Sequence, residues 1–163
     1  MNSELEAYFA AARSVPSNPP QDSEARLKER AEFPGRFLER VDMVVKPVMD
    51  STAETLLRHG YGATVEMIRE QSGSDPNTFP YIILHFSPER CSVSDLGYIY
   101  TLEGASVSFI CRRNELRIEA VTAYPAARGL ERRVSFSVLT LAELGSDRAS
   151  RIVTDGVKQI IRL

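Results

Sequence analysis

The chain has 163 residues, of which 43% are hydrophobic and 26% are charged, and these values predict one globular domain with a real core. Its formal net charge of −2 gives no overall attraction to nucleic acid or anionic lipid, so neither is expected as a partner. No stretch approaches 18 consecutive apolar residues, and the start "MNSELEAYFAAARS" lacks the basic and apolar parts of a signal peptide. The two cysteines form no C-x-x-C motif. We therefore expect no membrane association, and a cytoplasmic protein with reduced thiols.

The first residues are expected to form a flexible arm. Residues 3–13 favour a short helix, but the next stretch, "SVPSNPPQDS", holds three prolines among Ser, Asn and Asp. Such a stretch sustains neither a helix nor a central strand. The predicted organisation is an N-terminal arm and linker at residues 1–21, followed by a single α+β domain at residues 22–163.

A long helix is predicted near the start of this domain. From Arg36 to His59 the apolar residues recur at steps of three and four, which indicates one buried helix face. Pro34 is expected to break or bend the preceding helix, and Pro47 to kink the long helix near Met43–Val44. Gly60 suits a left-handed cap at its end.

After the helix the apolar period changes from 3.6 to about 2, which is typical of strands. The candidate strands are, in order, "ATVEMIRE", "FPYIILHFSP", "YIYTLEG", "ASVSFICRR", "ELRIEAVTAY" and "RRVSFSVLTL". The final stretch, "ELGSDRASRIVTDGVKQIIRL", predicts a closing helix with Ile152, Val153, Val157, Ile160 and Ile161 on its inner face. Short connections make successive strands antiparallel neighbours. The predicted fold is a two-layer α+β domain, with an antiparallel β-meander of five or six strands covered on one face by the two helices.

The hairpin around "FICRRNELRIEA" carries the most specific prediction. With Arg113 and Asn114 as the turn, Arg112 lies opposite Glu115 and Phe109 opposite Ile118. One face of the hairpin is then entirely apolar, and a slip by one residue would destroy this separation. The apolar face consists of Val107, Phe109, Cys111, Leu116, Ile118 and Ala120.

Arginines concentrate around this hairpin and suggest an anion or partner site. The candidate residues are Arg112, Arg117, Arg128, Arg132 and Arg133. Arg117 and Arg133 are expected on one outer face with four serines, Ser106, Ser108, Ser135 and Ser137. Such a face could hold a phosphate, a carboxylate or an acidic protein. The alternative is ordinary surface charge, with Arg112 paired to Glu115 across the hairpin.

No motif of a known catalytic or cofactor site is present, and the Cys and His spacings give no metal set. We accordingly predict no catalytic residue, no metal and no cofactor, and a function other than catalysis is favoured. A pocket between the kinked helix and a curved sheet would still offer polar groups to a small ligand. Its candidate residues are Tyr61, Tyr81, His85, Tyr98 and Tyr100.

The function that the sequence favours is protein binding by a non-catalytic or adaptor domain that forms a homodimer. Residues 1–104 carry 10 Lys and Arg against 16 Asp and Glu, whereas residues 105–163 carry 10 against 6. The apolar set Val44, Val45, Val48 and Met49 is wider than one sheet needs, so part of it is expected to face a partner. The alternative is a small-ligand-binding domain, with enzyme activity as a branch of that case.

Overall fold

The computed structural model describes residues 4–7, 21–70, 72–90, 104–126 and 130–161, and shows a two-layer α+β domain. Besides a helical turn at residues 4–7, the helices are α1 (Gln21–Arg40), α2 (Lys46–Arg58) and α3 (Ser146–Ile160). The strands are β1 (Ala63–Ile68), β2 (Tyr81–Phe86), β3 (Ala105–Arg112), β4 (Arg117–Ala126) and β5 (Leu130–Leu139). They form one antiparallel sheet in chain order, β1-β2-β3-β4-β5, with the helices on one face. The predicted fold class is confirmed. The candidate strand "YIYTLEG" lies outside the described residues apart from Gly104.

The predicted break at Pro34 is wrong, because α1 runs through this residue without interruption. A proline inside a helix costs about 3 kcal/mol. Phe33 and Phe37 flank it on the core face and are both buried, and burying each ring contributes about 1.5–3 kcal/mol. Tertiary packing on both sides of the proline therefore outweighs the lost hydrogen bond.

A π-helical turn, Val41–Val45, joins α1 to α2, and Pro47 is the second residue of α2. The Lys46 amide donates to the Val41 carbonyl, five residues earlier, as in a π turn. A kink was predicted near Met43–Val44, and the helix is irregular at this position. The irregularity is one extra residue in the helical turn. Asp42 and Met43 are the exposed residues of this turn, and Met43 retains 77% of its full accessible area.

The extra residue keeps one side of the long helix on the core. Buried residues recur at steps of four: Phe33, Phe37, Val41, Val45, Met49 and Ala53. In a regular α-helix each such step drifts by about 40°, so five steps would carry Ala53 to the opposite side from Phe33. One extra residue turns the helix back by about 100°, which returns α2 to the sheet.

The long helix ends in a Schellman motif. Gly60 has a positive φ of 86°, its amide donates to the Leu57 carbonyl, and the Tyr61 amide donates to the Leu56 carbonyl. This is the left-handed termination expected of Gly60.

The β3–β4 hairpin differs from the predicted register by two residues. Cys111 pairs with Ile118 and Arg112 with Arg117, and the turn contains four residues, Arg113–Leu116, with Leu116 at a φ of 53°. A shift of two preserves the faces, since side chains alternate with a period of two. The predicted apolar face is therefore confirmed: its strand members are buried, and Leu116 packs against them from the turn.

The core lies between the sheet and the three helices. Val45 and Met49 have no exposed surface and Val44 retains 9%, while Val48 is half-buried. The expectation that part of this set faces a partner is wrong for Val44, Val45 and Met49, because the protein's own sheet and α3 cover them. Any docking surface lies elsewhere.

Helix α3 closes the helical layer. Val153 is fully buried and the other predicted inner residues are partly buried against the core. Its N-cap is Gly145. Within the described residues, no helix combines the length and apolar character needed to cross a membrane.

Candidate functional site

Arg112 is engaged inside the fold. Its Nε atom donates to Oε2 of Glu119 at 2.7 Å, and Nη1 donates to the Asn77 carbonyl at 3.4 Å. The hydrogen bond to Glu119 is the main cause that raises the pKa of Arg112. The predicted pairing with Glu115 is wrong, because the two-residue shift places Glu119 diagonally across from Arg112 instead.

The other candidate arginines are spread along the sheet. Arg117 is exposed at the hairpin end of β4, whereas the backbones of Arg132 and Arg133 pair with Tyr124 and Ala123. Six residues of strand separate Arg117 from Ala123, which is about 20 Å. Arg128 lies outside the described residues. Among the described positions, the arginines are therefore not gathered at one place.

The four serines also divide between the two faces of the sheet. Ser106 and Ser108 belong to the outer face, by which we mean the face away from the helices. Ser135 and Ser137 pair with Thr122 and Ala120, so they lie on the helix face. The predicted serine and arginine face is therefore wrong for Ser135 and Ser137, because Phe136 and Val138, and not these serines, belong to the outer face of β5.

The turn of the β3–β4 hairpin is held by Asn77, which sequence reasoning missed. The Asn114 amide donates to Oδ1 of Asn77 at 2.9 Å, and Nδ2 of Asn77 donates to the Glu115 carboxylate at 3.0 Å. Nε of Arg30 donates to the Asn114 carbonyl at 3.1 Å. The available signal was "DPNT", in which Asp75 accepts from the Asn77 amide and sets the preceding 3-10 turn. These contacts give several charged groups near the hairpin a structural role.

The predicted pocket residues lie on opposite sides of the sheet. Tyr61 packs against the core on the helix side, whereas Tyr81 and His85 belong to the outer face of β2. Tyr98 and Tyr100 lie outside the described residues. Sequence periodicity could not show this division, because Tyr61 precedes the first strand.

His85 and Tyr81 share a carboxylate neighbour, Glu66 of β1. Nε2 of His85 lies 3.6 Å from Oε2 of Glu66. Burial lowers the pKa of His85, and Glu66 opposes this effect. Burial, reinforced by the negative charge of Glu66, raises the pKa of Tyr81.

A groove of about 550 Å³ separates α2 from α3, and a recess of about 260 Å³ adjoins it. Apolar groups of Val48, Leu56 and Val157 line the groove, together with several hydroxyls and Lys158. Tyr61 lines the recess with Arg90 and His59. Two of the hydroxyls are already bonded within α2, since Thr52 donates to the Val48 carbonyl and Thr55 to the Ser51 carbonyl. This space lies between two helices, and not between the helices and the sheet.

β5, one of the two edge strands of the sheet, presents apolar side chains to solvent. Val134 is 41% exposed, Phe136 50% and Val138 52%. Phe136 and Val138 pair with Val121 and Glu119, so their side chains belong to the outer face. The segment Val134–Leu139, which we call the β5 edge, carries no charged residue. Sequence reasoning missed this surface, because the alternation of "VSFSV" normally indicates apolar residues directed inward.

No family model, curated protein or solved structure matches this chain. Among the described residues, no three His, Cys, Asp or Glu side chains are grouped to hold a metal ion. Burial raises the pKa of the Cys111 thiol to about 12, so this side chain stays protonated and acts as a core residue.

Proposed function

We propose that this protein is a non-catalytic protein-binding domain that self-associates through the β5 edge. The observation that carries the proposal is the exposure of Val134, Phe136 and Val138 on the last strand of the sheet. Three apolar side chains in one uncharged strand segment are the kind of surface that association buries. An edge strand is also a surface along which a strand of another chain can pair.

The chemistry of the other candidate surfaces supports binding over catalysis. Arg112 is paired with Glu119, and His85 lies against Glu66, so these charged groups act within the fold. The β5 edge is the described surface where apolar area and strand backbone coincide. Burying a whole valine or phenylalanine side chain contributes about 1.5–3 kcal/mol, and half of each side chain remains to be buried here.

Self-association of this kind is expected to resist salt. Exposed ion pairs contribute about 0–1 kcal/mol each and are screened by salt, whereas burial of apolar surface is not. A contact between the acidic and basic halves of two chains would instead weaken as the salt concentration rises.

Light scattering over a dilution series at low and high salt tests the proposal. We expect a mass of twice 18.2 kDa that falls towards 18.2 kDa on dilution and changes little with salt. Val138→Asp should remain at the monomer mass, because it places a charge in the contact. Leu27→Asp is the control, since Leu27 is exposed to a similar extent on α1 and should behave as the unaltered protein. A monomer of the unaltered chain under every condition would contradict self-association.

A second candidate, binding of a small ligand, is favoured by the groove between α2 and α3. Its volume of about 550 Å³ falls within the ordinary range for ligand sites, and its lining mixes apolar groups with hydroxyls and Lys158. Native mass spectrometry of the purified protein would reveal a bound small molecule. Thr154→Phe, which fills the groove, should abolish that binding and leave the dilution behaviour unchanged.

A further inference from the structure

We infer that two copies of this chain pair β5 with β5 in antiparallel fashion about Phe136, which joins two five-stranded sheets into one of ten strands. This inference rests on the proposed function and names its partner as a second copy. It also fixes the register of the contact, residue by residue.

The β5 edge contains a sequence that is the same in both directions. Residues 134–138 are Val, Ser, Phe, Ser and Val. In an antiparallel pair centred on Phe136, each residue meets its own type: Val134 faces Val138, Ser135 faces Ser137, and Phe136 faces its symmetry mate. A twofold contact requires one surface to be complementary to itself, and this segment satisfies that requirement.

The two faces of β5 agree with such a pairing. Phe136 and Val138 belong to the outer face and are half exposed, so pairing places apolar groups of both copies side by side. Ser135 and Ser137 belong to the helix face, where facing hydroxyls can bond across the new strand pair.

The charges on β5 favour the axis at Phe136 over a slipped register. Arg132 and Arg133 precede the apolar segment. About Phe136, the backbone position of Arg133 lies opposite Leu139, and that of Arg132 lies opposite Thr140. An axis near Arg133 would instead set like charges against each other, which is unfavourable. The bulge of β5 falls at Val134, since Ser135 pairs with Thr122 and Arg133 with Ala123, so we expect regular pairing between the two copies to end at this residue.

The other edge of the sheet is protected against the same contact. β1 carries Glu66 at its centre, with the side chain 48% exposed, and Arg69 and Glu70 follow directly. Pairing of β1 with a second β1 about Glu66 would oppose two carboxylates. Charged side chains on an edge strand are a common defence against pairing, and β5 lacks them from Val134 to Leu139.

Cysteine cross-linking tests the register. The background is Cys91→Ser, which keeps Cys111 because its thiol is buried. Under mild oxidation Phe136→Cys should form a disulfide-linked dimer, since residues facing each other across an antiparallel pair have Cα atoms about 4.5–5.5 Å apart. Ser137→Cys should not, because its symmetry mate would lie more than about 7 Å away. Glu66→Cys, on the opposite edge, is the matched control and should remain monomeric on a non-reducing gel.

A second pair of variants keeps the test decisive if the loss of the Phe136 ring weakens association. Ser135→Cys mixed with Ser137→Cys should give a linked dimer, whereas neither variant alone should do so, because these two residues face each other on the regular side of the bulge. Two results would overturn this register and leave self-association standing. The first is a disulfide-linked dimer of Ser137→Cys that forms more readily than that of Phe136→Cys. The second is the absence of any linked dimer with Phe136→Cys and with the mixed pair, while light scattering still shows a dimer. A monomeric unaltered chain would overturn the proposed self-association itself.

Discussion

Gly156 is a buried residue of α3 that packs closely against the sheet. A Cβ atom placed there would lie 2.6 Å from Oγ1 of Thr122 and 2.8 Å from Cγ2 of Val107, both closer than atoms can pack. We expect Gly156→Ala to destabilise the fold by about 1–3 kcal/mol, despite the gain of about 1 kcal/mol that alanine has over glycine inside a helix.

Gly35 supplies the matched control for this substitution. It lies in α1 with no heavy atom within 4 Å of its Cβ position. Gly35→Ala should stabilise the protein by about 0.5–1 kcal/mol. Urea unfolding of both variants measures the two effects, and a gain in stability for both would show that α3 is less closely packed than described.

His85 should make stability depend on pH. Burial lowers the pKa of His85 in the folded protein from its usual 6.5, so the unfolded chain binds a proton more readily between the two pKa values. The free energy of unfolding should therefore fall as the pH drops through 6.5 towards the pKa of His85 in the folded protein. Below that pKa, His85 should cause no further change. His85→Gln should remove that slope, as measured by urea unfolding between pH 7.5 and 5.

Two further variants examine the cause of this slope. His59→Gln, which alters the only other histidine, is the control for the loss of an imidazole. Glu66→Gln should steepen it, since Glu66 favours the protonated form of His85. Equal slopes for the unaltered chain and for His85→Gln would place the pH dependence elsewhere.

At the scale of elements, the π turn of the long helix invites a deletion experiment. Removing Met43 places the buried residues from Phe33 to Ala53 at steps of four, four, three, four and four, which a regular α-helix accommodates. The deletion alone should still destabilise the protein by about 3 kcal/mol, because the Pro47 ring then meets the carbonyl four residues before it. Combining the deletion with Pro47→Ala should recover most of the loss in thermal melts. A double variant no better than the single one would mean that the π turn has another cause.

The elements themselves could largely be predicted from the sequence, whereas their exact pairing could not. The period of apolar residues located the long helix, α3 and all five strands. It could not fix the β3–β4 register, because a shift of two residues leaves every side chain on the same face. That register depends on Leu116 in a left-handed conformation and on Asn77, which is 37 residues from Asn114 in the chain.

The candidate surface was harder to predict for a related reason. In β5, serines take the helix face while Phe136 and Val138 take the outer one. Alternation defines two faces but does not say which is buried, and apolar residues are normally assigned inward. β5 is the last strand of the sheet, and that position emerges only when all the strands are paired.

At the scale of the whole molecule, the fold is expected to survive removal of residues 1–20. The described core begins at Phe33, and the described side chains of α1 up to Glu29 are exposed. A chain starting at Gln21 should melt within a few degrees of the full chain, because no described core contact is lost. Circular dichroism measures this. A fall of more than about 8 °C would correspond to about 2 kcal/mol or more, and would show that the N-terminal segment is docked.

Because the strands follow one another in the sheet as they do in the chain, each one can pair with its neighbour soon after it is made. The long helix does not share this advantage. Phe37 precedes Phe109, which lies in the same core, by about 70 residues. At a synthesis rate of about 5–20 residues per second, roughly 4–15 s pass between the synthesis of Phe37 and that of Phe109, and β3 cannot cover the apolar side of the helix before then. That delay is the interval in which the growing chain is most open to aggregation and to capture by chaperones.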